Sequence, residues 1–203
     1  VRAAKREPAA PDEVDRLVAA WQRERPDLDL GPLAVLSRVS RLARHLALAR
    51  RQAFAEHELE GFEFDVLAAL RRAGPPYELS PGRLLTETLV GSGTMTHRLD
   101  RLEQRGLVHR QPDPADGRSV RVRLTARGRA RVDAAFADLL DRERALLAGL
   151  DAAQQATLAA LLRTLTVPFD SSARQARSAG GAGRAGSDQA QQSQPGRQPQ
   201  ASV

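Results

Sequence analysis

The residues best placed to do chemistry lie between Ser92 and Gln104. Wound as a helix at about 100° per residue, Met95, Leu99 and Leu102 fall at about 0°, 40° and 340°, one compact apolar stripe. Ser92 stands at the start of this stretch as its cap. Thr94, Thr96, His97 and Arg101 fall off the stripe and supply hydroxyls, an imidazole and a guanidinium. A face of such donors and acceptors can enter the major groove of DNA and reach base edges and phosphates. The same pattern also serves an ordinary amphipathic surface helix. Arg98 stands apart at about 300°, beside the stripe rather than opposite it. It can face an inner cleft while moving with the outer face.

Other chemistries find little support. The chain has no cysteine, which removes disulfides, thiol nucleophiles and zinc ribbons together. Its four histidines, at 45, 57, 97 and 109, lack metal-ligand spacing. Gly91-Ser-Gly93 is too short for a dinucleotide or phosphate loop. No nucleophile and base stand in a legible pair. The expectation is no catalytic residue, no metal and no cofactor.

The formal charge of +6 is unevenly spread. Residues 1–79 carry 13 basic and 13 acidic side chains, and residues 132–170 carry 3 and 6. Residues 80–131 carry 11 arginines against 5 acids. A local positive field is what a polyanion-binding face requires, although a basic solvated surface would look the same. Lys5 is the sole lysine, and isoleucine and asparagine are absent, which reads as codon bias towards Ala and Arg.

The elements that must position these residues follow from periodicity and punctuation. Asp12 opens a helix with Val14, Leu17, Val18 and Trp21 on one face, ending near Pro26. A long helix follows Pro32 to about Glu58, striped by Val35, Val39, Leu42, Leu46 and Phe54. A third spans about 62–72, before Gly74-Pro75-Pro76. Ser80-Pro81 starts a short helix to about Glu87; a turn near Val90-Gly91 leads into 92–104, closed by Gly106. Leu107–Arg110 and Ser119–Leu124 read as strands around a dense turn, Pro112-Asp113-Pro114-Ala115-Asp116-Gly117. Thr125 begins a helix to about Leu147, and Asp151 caps another to about Thr166.

The result is a mostly α chain with a small β-hairpin wing, a winged helix-turn-helix with long N- and C-terminal helices. Its parts are a flexible arm (1–11), N-terminal dimerisation helices (12–58), a DNA-binding lobe (62–125), C-terminal dimerisation helices (126–168) and a disordered tail (169–203), which lacks Leu and beyond Phe169 lacks Phe. No apolar run reaches the length of a membrane span. Residues 1–11 show no signal-peptide core, so a cytoplasmic protein is expected.

Three segments carry a resemblance. Leu79-Ser80-Pro81 through Gly106-Leu107-Val108, Asp113-Pro-Ala-Asp-Gly-Arg118 and Val122-Arg-Leu-Thr-Ala-Arg-Gly128 resemble the MarR family of regulators, over roughly residues 32–166. The resemblance implies a homodimer that binds double-stranded DNA at a pseudopalindromic operator, most simply as a repressor. It implies that Arg118 enters the minor groove and that Asp116 helps orient it. The family's Asp-x-Arg-Asp wing reads Asp116-Gly-Arg118-Ser119 here, without the second acid.

The helix bearing Trp21, and Phe64-Asp65-Val66-Leu67, are similar to the urate-responsive, PecS-type branch of that family. The similarity implies a ligand pocket formed by Trp21, Asp65, Arg98 and Arg110. Each has a plainer use: Trp21 as packing, Asp65 as a solvated acid, Arg110 as one more basic wing residue. Two arginines in one cleft suit a small planar or polycarboxylate anion. Urate, a related purine catabolite and a tricarboxylate all fit, and a ligand-independent architectural DNA-binding protein is the competing reading. The expected switch is an Asp65–Arg98 contact that an anionic effector disrupts by charge repulsion.

Overall fold

Asp12 starts the first helix by a reciprocal cap. In the computed structural model its carboxylate accepts from the Asp15 amide at 2.9 Å, and its own amide donates to the Asp15 carboxylate at 2.8 Å. The structure describes residues 10–88, 92–114 and 116–185, without the side chains of 92, 93, 117, 118 and 170–185. Most of the expected arm, the turn near Val90-Gly91 and the chain beyond 185 lie outside the described residues.

α1 (Glu13–Glu24) buries only Val14. α2 (Gly31–Glu56), with Pro32 in its first turn, buries Ala49, Ala53 and Phe54 near its end and leaves Val35, Leu36, Val39, Leu42 and Leu48 exposed. α3 (Gly61–Arg72) is the most enclosed element, with Phe64, Val66, Leu67, Ala69 and Leu70 buried alongside one charged residue, Glu63. Gly74, in the left-handed region at φ 75°, lets the chain turn away.

A two-residue strand, β1 (Glu78–Leu79), was not foreseen. It pairs antiparallel with β3, Glu78 opposite Arg123 and Leu79 opposite Val122. So short a strand has no period to read, and its only signal is the edge it finds. α4 (Pro81–Thr88) and α5 (Ser92–Gln104) follow, then β2 (Val108–Asp113) and β3 (Asp116–Leu124). The sheet order is β1-β3-β2. Both hairpin strands run further towards the turn than expected, because the ladder continues through Pro112 and closes with Asp113 opposite Asp116.

Met95, Leu99 and Leu102 are all buried, as their stripe predicts. They join one core with α3, Leu84, the roots of the wing and Val132, Ala135 and Leu139 of α6 (Ala126–Leu146). Thr125 ties α6 to the wing: its hydroxyl donates to the carbonyls of Gly106 and Leu107 and accepts from the Gly128 amide. Gly128 is required there, since a Cβ would sit 2.1 Å from the Leu107 carbonyl oxygen.

Packing divides the chain into residues 1–146 and 147–203. In the second unit Asp151 and Gln154 cap each other's amides at the start of α7 (Ala152–Ala185). The expected stop near Thr166, with a disordered tail from 169, needs correction over 169–185, which the structure shows as helix through Pro168. The disorder argument counted buried surface. Helix formation rests on local hydrogen bonds, which need no buried surface; Ala, Arg and Gln of this stretch favour them, while Gly180, Gly181 and Gly183 do not. Among the described residues no helix is long and apolar enough to cross a membrane.

Candidate nucleic-acid interface

α5 sorts its side chains into a core stripe, an outward face and two charged flanks. Its apolar stripe enters the core. Thr94, Thr96 and His97 are exposed, so the polar residues named from the helical wheel do face outward. Ser92 is the first residue of α5, and Arg118 lies in β3, but the side chains of both are outside the described residues. Asp116 is exposed at the start of β3, with its carbonyl accepting from the Ser119 hydroxyl at 3.1 Å.

Arg101 is placed differently from its expected neighbours. Its guanidinium donates to Glu60 Oε1 at 2.5 Å and approaches Glu63 Oε1 at 3.4 Å, so it faces the first turn of α3. Arg105 lies one turn on along the same flank. It donates to Glu63 Oε2 at 2.6 Å and to the Glu58 carbonyl at 2.6 Å. The guanidinium of Arg98 rests 4.8 Å from the centre of the Phe62 ring, and that of Arg101 lies 5.4 Å from it. Cations over an aromatic face are held by its quadrupole.

The opposite flank of α5 carries acids, and β2 supplies the cation. Arg110 donates to Asp100 Oδ1 at 2.6 Å and comes within 3.5 Å of Glu103. The Arg110 amide donates to Glu103 Oε1 at 2.8 Å. The Arg110 Nε atom is buried without a hydrogen-bond partner among the described residues. Below the wing tip, Arg121 donates to Asp113 Oδ2 at 2.7 Å, and this carboxylate raises the arginine's pKa.

The structure does not gather the four residues expected to hold an effector through direct contacts. Trp21 is 48% exposed on α1. Asp65 is exposed and pairs with Arg50 of α2 at 3.7 Å. The expected Asp65–Arg98 contact is therefore corrected. α2 runs beside the exposed face of α3 and brings Arg50 to the carboxylate, while Phe62 takes the guanidinium of Arg98. A groove of 410 Å³ between α1 and α2, lined by Glu13, Val14, Leu17, Leu36, Arg41 and Arg44 among others, includes none of the four.

Sequence reasoning missed Glu60, Phe62, Glu63, Asp100 and Glu103. A Glu-x-x-Glu pair before an apolar run was the available sign of a capping box at α3, and the half in which Glu63 accepts from the Glu60 amide is formed at 2.9 Å. Nothing in the sequence signalled that Glu63 is also fully buried.

Comparison with known proteins agrees with this architecture. A MarR family sequence profile matches residues 58–119. The HTH-type transcriptional regulator PecS of Dickeya dadantii (strain 3937) is 38% identical over 150 residues, spanning 74% of this chain and 90% of that protein. Among solved structures, Bordetella bronchiseptica BpsR, described with a mechanism for regulation of its DNA binding by 6-hydroxynicotinic acid, matches with a TM-score of 0.54 and 30% identity, over 66% of this chain and 93% of BpsR. A mutant MarR from E. coli complexed with operator DNA matches with a TM-score of 0.55 and 27% identity, over 71% and 96%.

Proposed function

Because the chain belongs to the MarR family of winged-helix transcriptional regulators, we propose that it binds a pseudopalindromic operator as a homodimer and is released by a small, planar, anionic effector such as urate. The observation that carries this reading is the outward face of α5, where Thr94, Thr96 and His97 stand exposed above a fully buried apolar stripe. Two-fold pairing would set two such helices in successive major grooves, about 34–36 Å apart. The exposed apolar residues of α2, among them Val35, Leu36, Val39 and Leu42, offer surface for that pairing, and α7 by itself leaves Leu161 and Leu165 exposed.

The effector class rests on two relatives and on the arginines. PecS is 38% identical to this chain, and the DNA binding of BpsR is regulated by 6-hydroxynicotinic acid, a planar heteroaromatic acid; the choice of Trp21, Asp65, Arg98 and Arg110 rests on the resemblance to the PecS-type branch. The ion pairs alter the expected switch. An anion held by Arg110 must draw that guanidinium from Asp100 and Glu103, and so loosens β2 from α5. The effector acts only if it binds the loosened state more tightly. A coupling of about 1–3 kcal/mol would weaken operator binding roughly 5–150-fold.

The test is operator selection from a random DNA library, followed by binding with and without urate and 6-hydroxynicotinate. Equal operator affinity with and without each of these anions would end the effector proposal. A monomer by light scattering at micromolar concentration would end the dimer.

A further inference from the structure

The recognition helix is gripped along one flank by a carboxylate that sees no water. Glu63 is 0% exposed, yet it stands at the first turn of α3 among charged partners. Its Oε2 accepts from the Glu60 amide at 2.9 Å and from Arg105 at 2.6 Å. Its Oε1 has no hydrogen-bond partner among the described residues, with Arg101 Nε 3.4 Å away. Glu60 takes the other end of Arg101, and the Phe62 ring takes the faces of Arg98 and Arg101.

We propose that Glu63 is a positioning residue that sets the rotation of α5 about its own axis, and that Arg101 and Arg105 serve this grip rather than contacting DNA. The proposal rests on the reading of α5 as the DNA-reading helix. Burying an ion is repaid only by close and directional partners, so a carboxylate here is a poor filler and a good locator. An apolar side chain at position 63 would hold α3 and α5 together but would let them roll. Arg98, Arg101 and Arg105 lie within about 60° of one another on one flank, so their bonds oppose rotation directly. With side chains reaching about 5–6 Å from the axis, a roll of about 20° moves His97 and Thr94 by about 2 Å. That displacement is enough to lose a base contact whose donor–acceptor distance must stay near 3 Å.

Charge and position predict opposite signs, which makes the idea testable. Glu63→Gln removes a negative charge from the DNA-facing lobe, so electrostatics alone would tighten every DNA. Loss of position weakens only the correct sequence. The experiment measures full-length wild type, Glu63→Gln and Arg101→Gln against the selected operator and a scrambled duplex, across a salt series. For Glu63→Gln, operator affinity should fall about tenfold, the cost of one lost base contact. Binding to scrambled DNA should hold or tighten. For Arg101→Gln, operator affinity should fall while the slope of log K against log salt is unchanged. A slope reduced by about 0.9 would make Arg101 a phosphate contact and overturn its part. Unchanged operator affinity in Glu63→Gln would overturn the whole. If Glu63→Gln does not fold, Glu60→Gln at the half-exposed end of the same grip replaces it, with the same signs expected and the same result refuting. A wild-type protein that selects no sequence would defeat the DNA-reading assignment itself, and the positioning role with it.

Discussion

A single methyl group at residue 128 is the sharpest probe of how the wing is fastened. Built on Gly128, a Cβ lies 2.1 Å from the Leu107 carbonyl oxygen, and 3.0 Å from both the Leu107 carbonyl carbon and Leu124 Cδ1. Relief needs a shift of about 1 Å or more, since unstrained carbon contacts lie well beyond 3 Å. The oxygen is not free to move, because it accepts from both the amide and the hydroxyl of Thr125, each at 3.1 Å. Nor can α6 slide cheaply, with Val132, Ala135 and Leu139 locked in the core. Overpacking costs about 1–3 kcal/mol, and each of the two hydrogen bonds adds about 0.5–1.5 kcal/mol if lost. For a chain of this size Gly128→Ala should therefore lower the melting temperature by about 10 °C. Gly61→Ala is the matched control. A Cβ there meets nothing within 4 Å, and the change should be neutral or slightly stabilising. Thermal melts followed by circular dichroism compare the two. A Gly128→Ala protein melting within about 2 °C of wild type would refute the claim that α6 is locked to the wing root.

Three further predictions follow from the ion pairs and the wing. In a double-mutant cycle of Arg110→Gln and Asp100→Asn, read by urea unfolding, the coupling should be about 1 kcal/mol, modest because both side chains are partly solvated; additivity within about 0.3 kcal/mol would remove the β2–α5 clamp. Asp12 has its pKa held below the ordinary 3.8 by the Asp15 amide and by Arg38. The sign follows: its contribution to seating α1 is complete above pH 3.8 and is lost as pH falls below that value. Acid titration should thus shift the fluorescence of Trp21, the sole tryptophan, while Asp12→Asn blunts the change; identical titrations would refute it. Arg118→Ala should weaken operator binding at least tenfold, through loss of a minor-groove cation, and anisotropy showing wild-type affinity would put the wing's DNA contact elsewhere.

What the sequence disclosed and what it withheld divide along physical lines. Helix starts were legible where a local cap exists, as at Asp12 and Asp151, because both partners lie within three residues. The buried stripe of Met95, Leu99 and Leu102 was legible because period alone encodes it. Arg101 shows the limit. On a wheel it is one more outward cation, and only the approach of α3 turns it inward to Glu60. Asp65 was matched with Arg98 from the resemblance, but its ion partner is Arg50, set by how α2 runs past α3. Charged side chains choose partners by tertiary placement, which no spacing rule carries.

α1 is attached to α2 in an unusual currency. It fully buries a single residue, Val14, with Val18 and Ala20 half-buried, and much of its remaining hold is ionic: Arg38 to Asp12 and Asp15 at 2.9 and 2.7 Å, and Arg41 to Glu13 at 2.5 Å. These pairs are largely solvent-exposed, so dissolved ions reach them. At about 1 M salt the screening length shrinks to about 3 Å, the scale of the pairs themselves. The seat of the helix bearing Trp21 thus answers to ionic strength more than the apolar core does. Any response read through Trp21 inherits a salt dependence of its own, separate from the counterions that DNA sheds when it is bound.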